Sequence, residues 1–545
     1  MEQISNIYIA LIRYILPLLI ATFLIICAKT LLTKSKHQTV AMLIMKDTSK
    51  EFTIHSYESI IGRGKLSDVI LPFSSISVKH AVITITKHGA KICPIAKNVA
   101  INEKAILKST ELYSGDTITL GTLCFEFSIP EIEDISSSRQ DATPKEKTIK
   151  LALVPLISFQ ILGMISLLLT FYDKHALAIG AVFFALILIE LIYAAILKFT
   201  SSLCIELIGF FLTTIGFMIT ATLGQENLIK QAASFIIGLI GFILLSLLLR
   251  KPRFCEKIRY FVGAFALALL AYTLLFGTSL NGSKSWIFIG NFSFEPSEFV
   301  KVAFIFASAA TLERLITTKN LIWTLAFSFM AIGALGLMHD FGAISIFFVT
   351  MMIILFMGLC DKKTIISLVA IAAVGGFAAI KLMGYITIRF ESYRHAWEFA
   401  SSTGYQQTRT MIGIANGGLF GLGSGKGYLS SITAADTDLV FGVICEELGL
   451  IVGLCCALCF LLLAVVTIAH TTGAESTFYP IAGCAAAGLL LFQTSLNIFG
   501  SVDLLPFTGV TMPFISNGGT SMIASWLLLS YIKAQSCTHS TNLSS

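Results

Sequence analysis

The sequence predicts a mainly α polytopic membrane protein with a small all-β domain inserted after its first helix. Three observations carry this expectation. Of 545 residues, 55% are hydrophobic and only 13% are charged, against roughly 25% charged in soluble domains. The mean hydropathy is +0.84, and from about residue 151 one apolar run follows another. Between residues 38 and 130 the pattern changes to short β-type runs separated by turn residues.

The first apolar run, Ile7 to Leu32, is too long for a signal-peptide core and shows no clear small-residue cleavage site, so it reads as a retained membrane helix. Residues 38–130 then carry the runs Ala41–Met45, Glu51–Ile54, Ala81–Thr86, Thr117–Leu120 and Cys124–Ser128. Residues 131–150 are polar and charged and read as a linker. A membrane helix needs about 20 apolar residues. That ruler gives about twelve more helices, with cores at 151–171, 176–197, 202–222, 230–249, 259–278, 298–316, 320–338, 342–359, 364–383, 439–468, 478–500 and 513–533. With the first helix this makes about thirteen. Two of the twelve, in residues 151–200, precede a core of ten in 201–535, and residues 536–545 form a tail.

Charge placement sets the orientation. The loop containing Arg250, Lys251, Arg253, Lys257 and Arg259 is strongly basic and is expected on the cytoplasmic side. Counting outward from it puts the β domain in the cytoplasm too. It puts Asn281–Pro296, Gly384–Thr437 and Ser501–Met512 on the outer face. A net charge of +6 is too small to argue for nucleic acid, and the twelve cysteines show neither metal spacing nor a disulfide framework.

Within the β domain stand Ile61-Gly62-Arg63, Ser67-Asp68-Val69-Ile70-Leu71-Pro72 and Ser75-Ile76-Ser77-Val78-Lys79-His80-Ala81, followed by Asn98–Asn102 and Ser114-Gly115-Asp116. This pattern resembles a forkhead-associated (FHA) domain, a β-sandwich that binds phosphothreonine peptides. The chemistry fits, because a phosphate dianion wants a charge-assisted donor and short hydroxyl partners. The resemblance implies that Arg63 and Ser77 bind the phosphate with Lys79 nearby, that His80 braces the loop, and that Asn98 meets the peptide. The Gly that usually follows this Asn is replaced by Val99.

The core carries a second set of motifs. In order they are Gly282–Ile287, Glu295-Pro296-Ser297-Glu298, Lys301, His339-Asp340-Phe341-Gly342, Gly404-Tyr405-Gln406, Gly417–Gly423, Thr437-Asp438-Leu439-Val440-Phe441 and Glu446-Glu447-Leu448-Gly449. Gln493, Asn497, Leu505–Gly509 and Pro513–Gly519 follow. The set resembles the RodA/FtsW (SEDS) family of shape, elongation, division and sporulation proteins. The resemblance implies polymerisation of lipid II into peptidoglycan beside a class B penicillin-binding protein, in the bacterial cytoplasmic membrane.

That reaction needs a sugar hydroxyl to attack an anomeric carbon while a lipid diphosphate leaves. A carboxylate can act as general base, and cations must face the diphosphate. Asp438 lies where the long outer segment enters a helix, at head-group depth, where an ionisable residue is costly and usually functional. A plain helix N-cap is the competing role for it. Glu298 and Lys301 share a helix face at spacing i, i+3, and by resemblance line the central cavity. Arg389, Arg409 and Lys426, with Arg394, are further candidate diphosphate ligands in the outer segment. Glu446 and Glu447 are expected to support the site from within an apolar span, with partners on neighbouring helices.

Four departures from the family pattern stand out. His-Thr-Asp is Asp436-Thr437-Asp438, the Gln before Pro-Ser-Glu is Glu295, Gln-Pro-Asp is Met338-His339-Asp340, and Tyr is Asn517. Asp436 adds a like charge beside Asp438 and could recruit a divalent cation such as Mg or Mn; no cofactor is otherwise expected. Two other functions are compatible with the residues: a lipid II flippase, and a non-catalytic scaffold whose β domain recruits a phosphorylated division protein.

Overall fold

The computed structural model describes residues 2–32, 39–54, 58–64, 67–86, 89–129, 143–171, 175–197, 203–280, 283–290, 292–312, 318–359, 366–370, scattered positions from 373 to 387, 392–471 and 476–538. Helix α1 (Glu2–Leu32) leads into eleven short strands. These are β1 (Ala41–Met45), β2 (Glu51–Ile54), β3 (Glu58–Gly62), β4 (Val69–Ile70), β5 (Ala81–Thr86), β6 (Gly89–Pro94), β7 (Val99–Ile101), β8 (Lys104–Ala105), β9 (Thr110–Leu112), β10 (Thr117–Leu120) and β11 (Leu123–Ser128). They form a six-stranded sheet in the order β2-β1-β11-β10-β7-β8 and a five-stranded sheet in the order β4-β3-β5-β6-β9. Alternating burial along β1 and β10 turns one face of the first sheet inward. Leu43, Phe125 and Phe127 from that sheet share one core with Ile61, Ile83 and Ile92 from the other, which makes the unit a sandwich.

The remaining helices are α2 (Thr143–Thr170), α3 (Ala176–Ile196), α4 (Leu203–Leu223), α5 (Gln225–Leu249), α6 (Pro252–Phe276), α7 (Pro296–Thr311), α8 (Thr318–Leu337) and α9 (Phe341–Leu359), then α10 (Tyr405–Gly417), α11 (Val440–Glu447), α12 (Leu450–Ala469), α13 (Phe478–Ser501) and α14 (Gly519–Thr538). Among the described residues, ten helices are long and apolar enough to cross a membrane. Much of the expected span 364–383 lies outside the described residues. Helix α4 is wholly buried, with α14, α5 and α2 packed on it. Polar pairs fix these helices from within, where lipid offers no partner. Lys533 on α14 pairs with Glu206 on α4 at 2.5 Å, and Tyr193 donates to the same carboxylate. Gln160 on α2 donates to Glu190 on α3 and to Thr214 on α4.

Two boundaries differ from the sequence reading. The single helix expected over 439–468 is two helices, α11 and α12. Gly449 separates them at φ 100°, and a Cβ there would lie 2.4 Å from the Leu419 carbonyl oxygen. The close approach of another backbone stops α11 after two turns. The last helix starts at Gly519, because Pro513–Gly518 forms a turn with Phe514 and Ile515 buried. A feature with no counterpart in the sequence reading is a three-stranded antiparallel sheet, β12 (Thr278–Leu280), β13 (Ser283–Ile289) and β14 (Phe292–Phe294), between α6 and α7.

Candidate functional site

The site is built on α13. Gln493 and Asn497 are four residues apart and so lie on one helix face, separated by a rise of about 6 Å. Both are buried and both serve the loop between α13 and α14. Gln493 donates to the Thr511 carbonyl at 2.9 Å, and Asn497 to the Val510 carbonyl at 2.8 Å. Each also reaches one further element. Gln493 accepts from Lys301 Nζ at 2.9 Å, and Asn497 donates to the backbone oxygen of Asp438 at 2.9 Å.

Asp438 precedes Leu439, which is the N-cap residue of α11 and makes no side-chain cap bond. The Asp438 carboxylate faces Gly509, where a Cβ would lie 3.3 Å from Oδ2. Gly509 has φ 67°, a conformation that favours glycine, and its bare Cα lets the loop run close to the carboxylate.

Asp436 does not stand beside Asp438 as an idle second charge. Its Oδ2 accepts from Asn517 Nδ2 at 2.8 Å, and its backbone oxygen accepts from Asn517 N at 2.9 Å. Among the described residues no group of three or more His, Cys, Asp or Glu side chains is arranged to hold a metal ion.

Glu298 and Lys301 pair at 2.7 Å on the first two turns of α7, both buried. Glu295 stands just before that helix. Ser297 donates to it at 3.0 Å, and burial, with the negative charges of Glu298 and Asp340, pushes its carboxyl up to about 8. Asp340 caps α9, accepting from the Ala343 amide at 3.0 Å.

Glu446 and Glu447 find partners that the sequence reading placed elsewhere. These are not polar groups on neighbouring helices but backbone amides, at Gly425 within the Gly-rich loop 417–427 and at Leu429 just beyond it. Leu429 N donates to Glu446 at 2.8 Å, and Gly425 N to Glu447 at 2.9 Å. A Cβ at Gly427 would lie 2.7 Å from Glu446 Oε2. Gly427 is thus explained by a buried carboxylate that the backbone must approach. Tyr14 of α1 packs on Phe420 of this loop at 4.9 Å, and a Cβ at Gly425 would meet Phe171, at the end of α2, at 2.6 Å.

The cationic candidates divide. Arg409 is exposed and lies over the Tyr405 ring, and Lys426 is exposed in the Gly-rich loop. Arg389 lies outside the described residues. Arg394, at φ 64°, belongs to a segment fixed by Asp503, which accepts from the amides of Arg394 and Ala396. Asp503 and the loop-fastening work of Gln493 and Asn497 were not read from the sequence. A pair of amide side chains at spacing i, i+4 in an apolar helix was the available signal.

In the β domain, Arg63 N donates to the Ser77 carbonyl. His80 is buried, accepts from Ser77 N through Nδ1, and turns Nε2 toward the Asn98 carbonyl. Arg63, Ser77 and Asn98 are exposed around this brace, and Lys79 is half-buried. Asn98 has φ 70°, so the left-handed position that Gly would favour is filled by Asn itself.

A family model described as "Cell cycle protein", for FtsW, RodA and SpoVE, matches residues 194–539, and an FHA domain model matches residues 59–121. The peptidoglycan glycosyltransferase RodA of Mycobacterium tuberculosis H37Rv is 28% identical, over 56% of this chain and 69% of its own. The probable peptidoglycan glycosyltransferase FtsW of Geobacter sp. M18 is 30% identical, over 53% and 81%. A solved chain described as "Structural coordination of polymerization and crosslinking by a peptidoglycan synthase complex" superposes with a TM-score of 0.52 at 23% identity, over 62% of this chain and 98% of that one.

Proposed function

Because this multi-pass membrane protein belongs to the FtsW/RodA/SpoVE family, we propose that it is a peptidoglycan glycosyltransferase that polymerises lipid II at the outer face of the bacterial cytoplasmic membrane, with Asp438 as general base. One observation carries the assignment of roles. Lys301 and the Asp438 backbone are held by Gln493 and Asn497, one turn apart on a single face of α13. A cation and the backbone of the residue proposed as base are thus anchored to one helix face, which supports a reaction that deprotonates a hydroxyl and expels a diphosphate. Asp438 takes the proton of the attacking sugar hydroxyl. The new glycosidic bond forms as the bond from the anomeric carbon to the lipid diphosphate breaks, and Lys301, with Arg409 and Lys426 from the outer segment, balances the charge on the leaving group. Glu298 holds Lys301 in place. A class B penicillin-binding protein would cross-link the product.

The basic loops favour a cytoplasmic β domain, which reads a phosphothreonine protein through Arg63 and Ser77. The separation of the two activities across the bilayer makes the domain a regulator or localiser of the synthase.

Purified protein with lipid II, resolved by gel for glycan strands, tests this reading. Strands are expected from the wild type and not from Asp438→Ala. Polymerisation unchanged by that substitution would remove Asp438 from the mechanism. Lipid II crossing a vesicle bilayer with no polymer formed would replace the synthase by a transporter.

A further inference from the structure

Three consecutive residues around the proposed base are each held by a different partner. Asn517 holds Asp436 by two hydrogen bonds, one to the side chain and one to the backbone. Ser516 Oγ donates to the Thr437 carbonyl at 2.6 Å, and Asn497 donates to the Asp438 carbonyl. The first two partners lie on the turn that starts α14 and the third on α13. Two bonds between the same pair of residues fix orientation as well as position, since neither can persist if the segment rotates. Asp436 and Asn517 are 81 residues apart, so their contact joins two distant parts of the chain.

We propose that Asp436 and Asn517 form a latch that positions Asp438 for proton abstraction, and that Asp436 acts as a hydrogen-bond acceptor rather than as a second charge. This rests on Asp438 being the base. The segment from Asp436 to Asp438 is a turn closed locally by the amides of Thr437 and Asp438 on the Ala434 carbonyl, and the bonds from Asn517, Ser516 and Asn497 fix that turn against the neighbouring elements. The Asp436 oxygen that meets Asn517 is committed to that bond, and the acceptor role needs no negative charge.

Steady-state polymerisation of lipid II by the full chain, followed across pH, separates the two roles. Asp436→Ala is expected to lower kcat by about 10- to 100-fold, the cost of a small misplacement of a reacting group, with KM and thermal midpoint near those of the wild type. Asp436→Asn keeps an acceptor and should retain kcat and the acidic limb of the pH profile. Asn517→Asp sets two carboxylates against each other and should lose activity. The double variant Asp436→Asn/Asn517→Asp exchanges donor and acceptor and should restore it.

The latch is overturned if Asp436→Ala keeps wild-type kcat, or if the double variant stays as weak as Asn517→Asp. It is also overturned if Asp436→Asn moves the acidic limb to lower pH, the shift expected when a like charge beside the base is removed. Asp438→Asn, run in parallel, tests the base itself. Full activity there would dismiss the catalytic assignment whatever the latch variants show.

Discussion

Replacing Asn497 by Ala removes the two hydrogen bonds that tie Asp438 and Val510 to α13. The side chain is buried, so water does not readily replace it. Each such bond contributes about 1 kcal/mol net, and a buried acceptor left unpaired costs about 1–3 kcal/mol. The local loss is therefore about 2–4 kcal/mol. It falls on the segment that carries Asp438 rather than on the whole bundle, because α13 keeps its contacts with α9, α12 and α14. If a comparable loss appears in the transition state, kcat falls by roughly 100-fold, since about 1.4 kcal/mol corresponds to tenfold in rate. Substrate affinity should change little, as the Lys301–Gln493 bond is untouched. Asn497→Asp should be worse, because it turns acceptors toward two carbonyls that need donors. The assay is lipid II polymerisation with kcat and KM separated, beside thermal unfolding of the same preparations. A variant that loses stability but keeps wild-type kcat would refute the reasoning that α13 sets the position of Asp438.

Three further outcomes are expected. Glu295 is protonated in the folded protein up to about pH 8, while an ordinary glutamate ionises near 4.3. The stability tied to its neutral form is therefore full below about pH 4.3 and is lost as pH rises toward 8; the alkaline decline in Tm should be smaller in Glu295→Gln, and an identical pH–Tm curve would count against the assignment. Gly427→Ala drives a methyl group to within 2.7 Å of Glu446 Oε2, and a destabilisation of about 1–3 kcal/mol should appear as a lower unfolding midpoint. Arg63→Ala should weaken a phosphothreonine peptide by about 2 kcal/mol or more, the scale of a charge-assisted bond, as measured by calorimetry; equal binding of the unphosphorylated peptide by the wild type would refute phosphate recognition.

The membrane helices were legible because apolar length is a local property, and the β runs because period-2 burial is local too. The motif around Asp438 was legible as a string. Its fastening was not, since Asn497 lies 59 residues from Asp438, and Asn517 lies 81 from Asp436. The break at Gly449 depends on the approach of the Leu419–Gly421 backbone, which no hydropathy window registers. Glu446 and Glu447 were recognisable as costly charges in an apolar stretch, but backbone amides leave no trace in the sequence and so could not be identified as their partners. The sheet between α6 and α7 was missed because its strands are short, mix polar with apolar residues, and lie mostly in a stretch read as an outer loop.

Helices α1 and α2 pack along each other, and they are also the two ends from which the β-sandwich is inserted. Packed helices run about 8–10 Å apart. A linker of three or four residues, at about 3.3–3.6 Å each when extended, would bridge that gap. The β-sandwich is in this sense a removable cassette. Its excision should leave the helix pair, and the contacts of Tyr14 and Phe171 with the Gly-rich loop, in place.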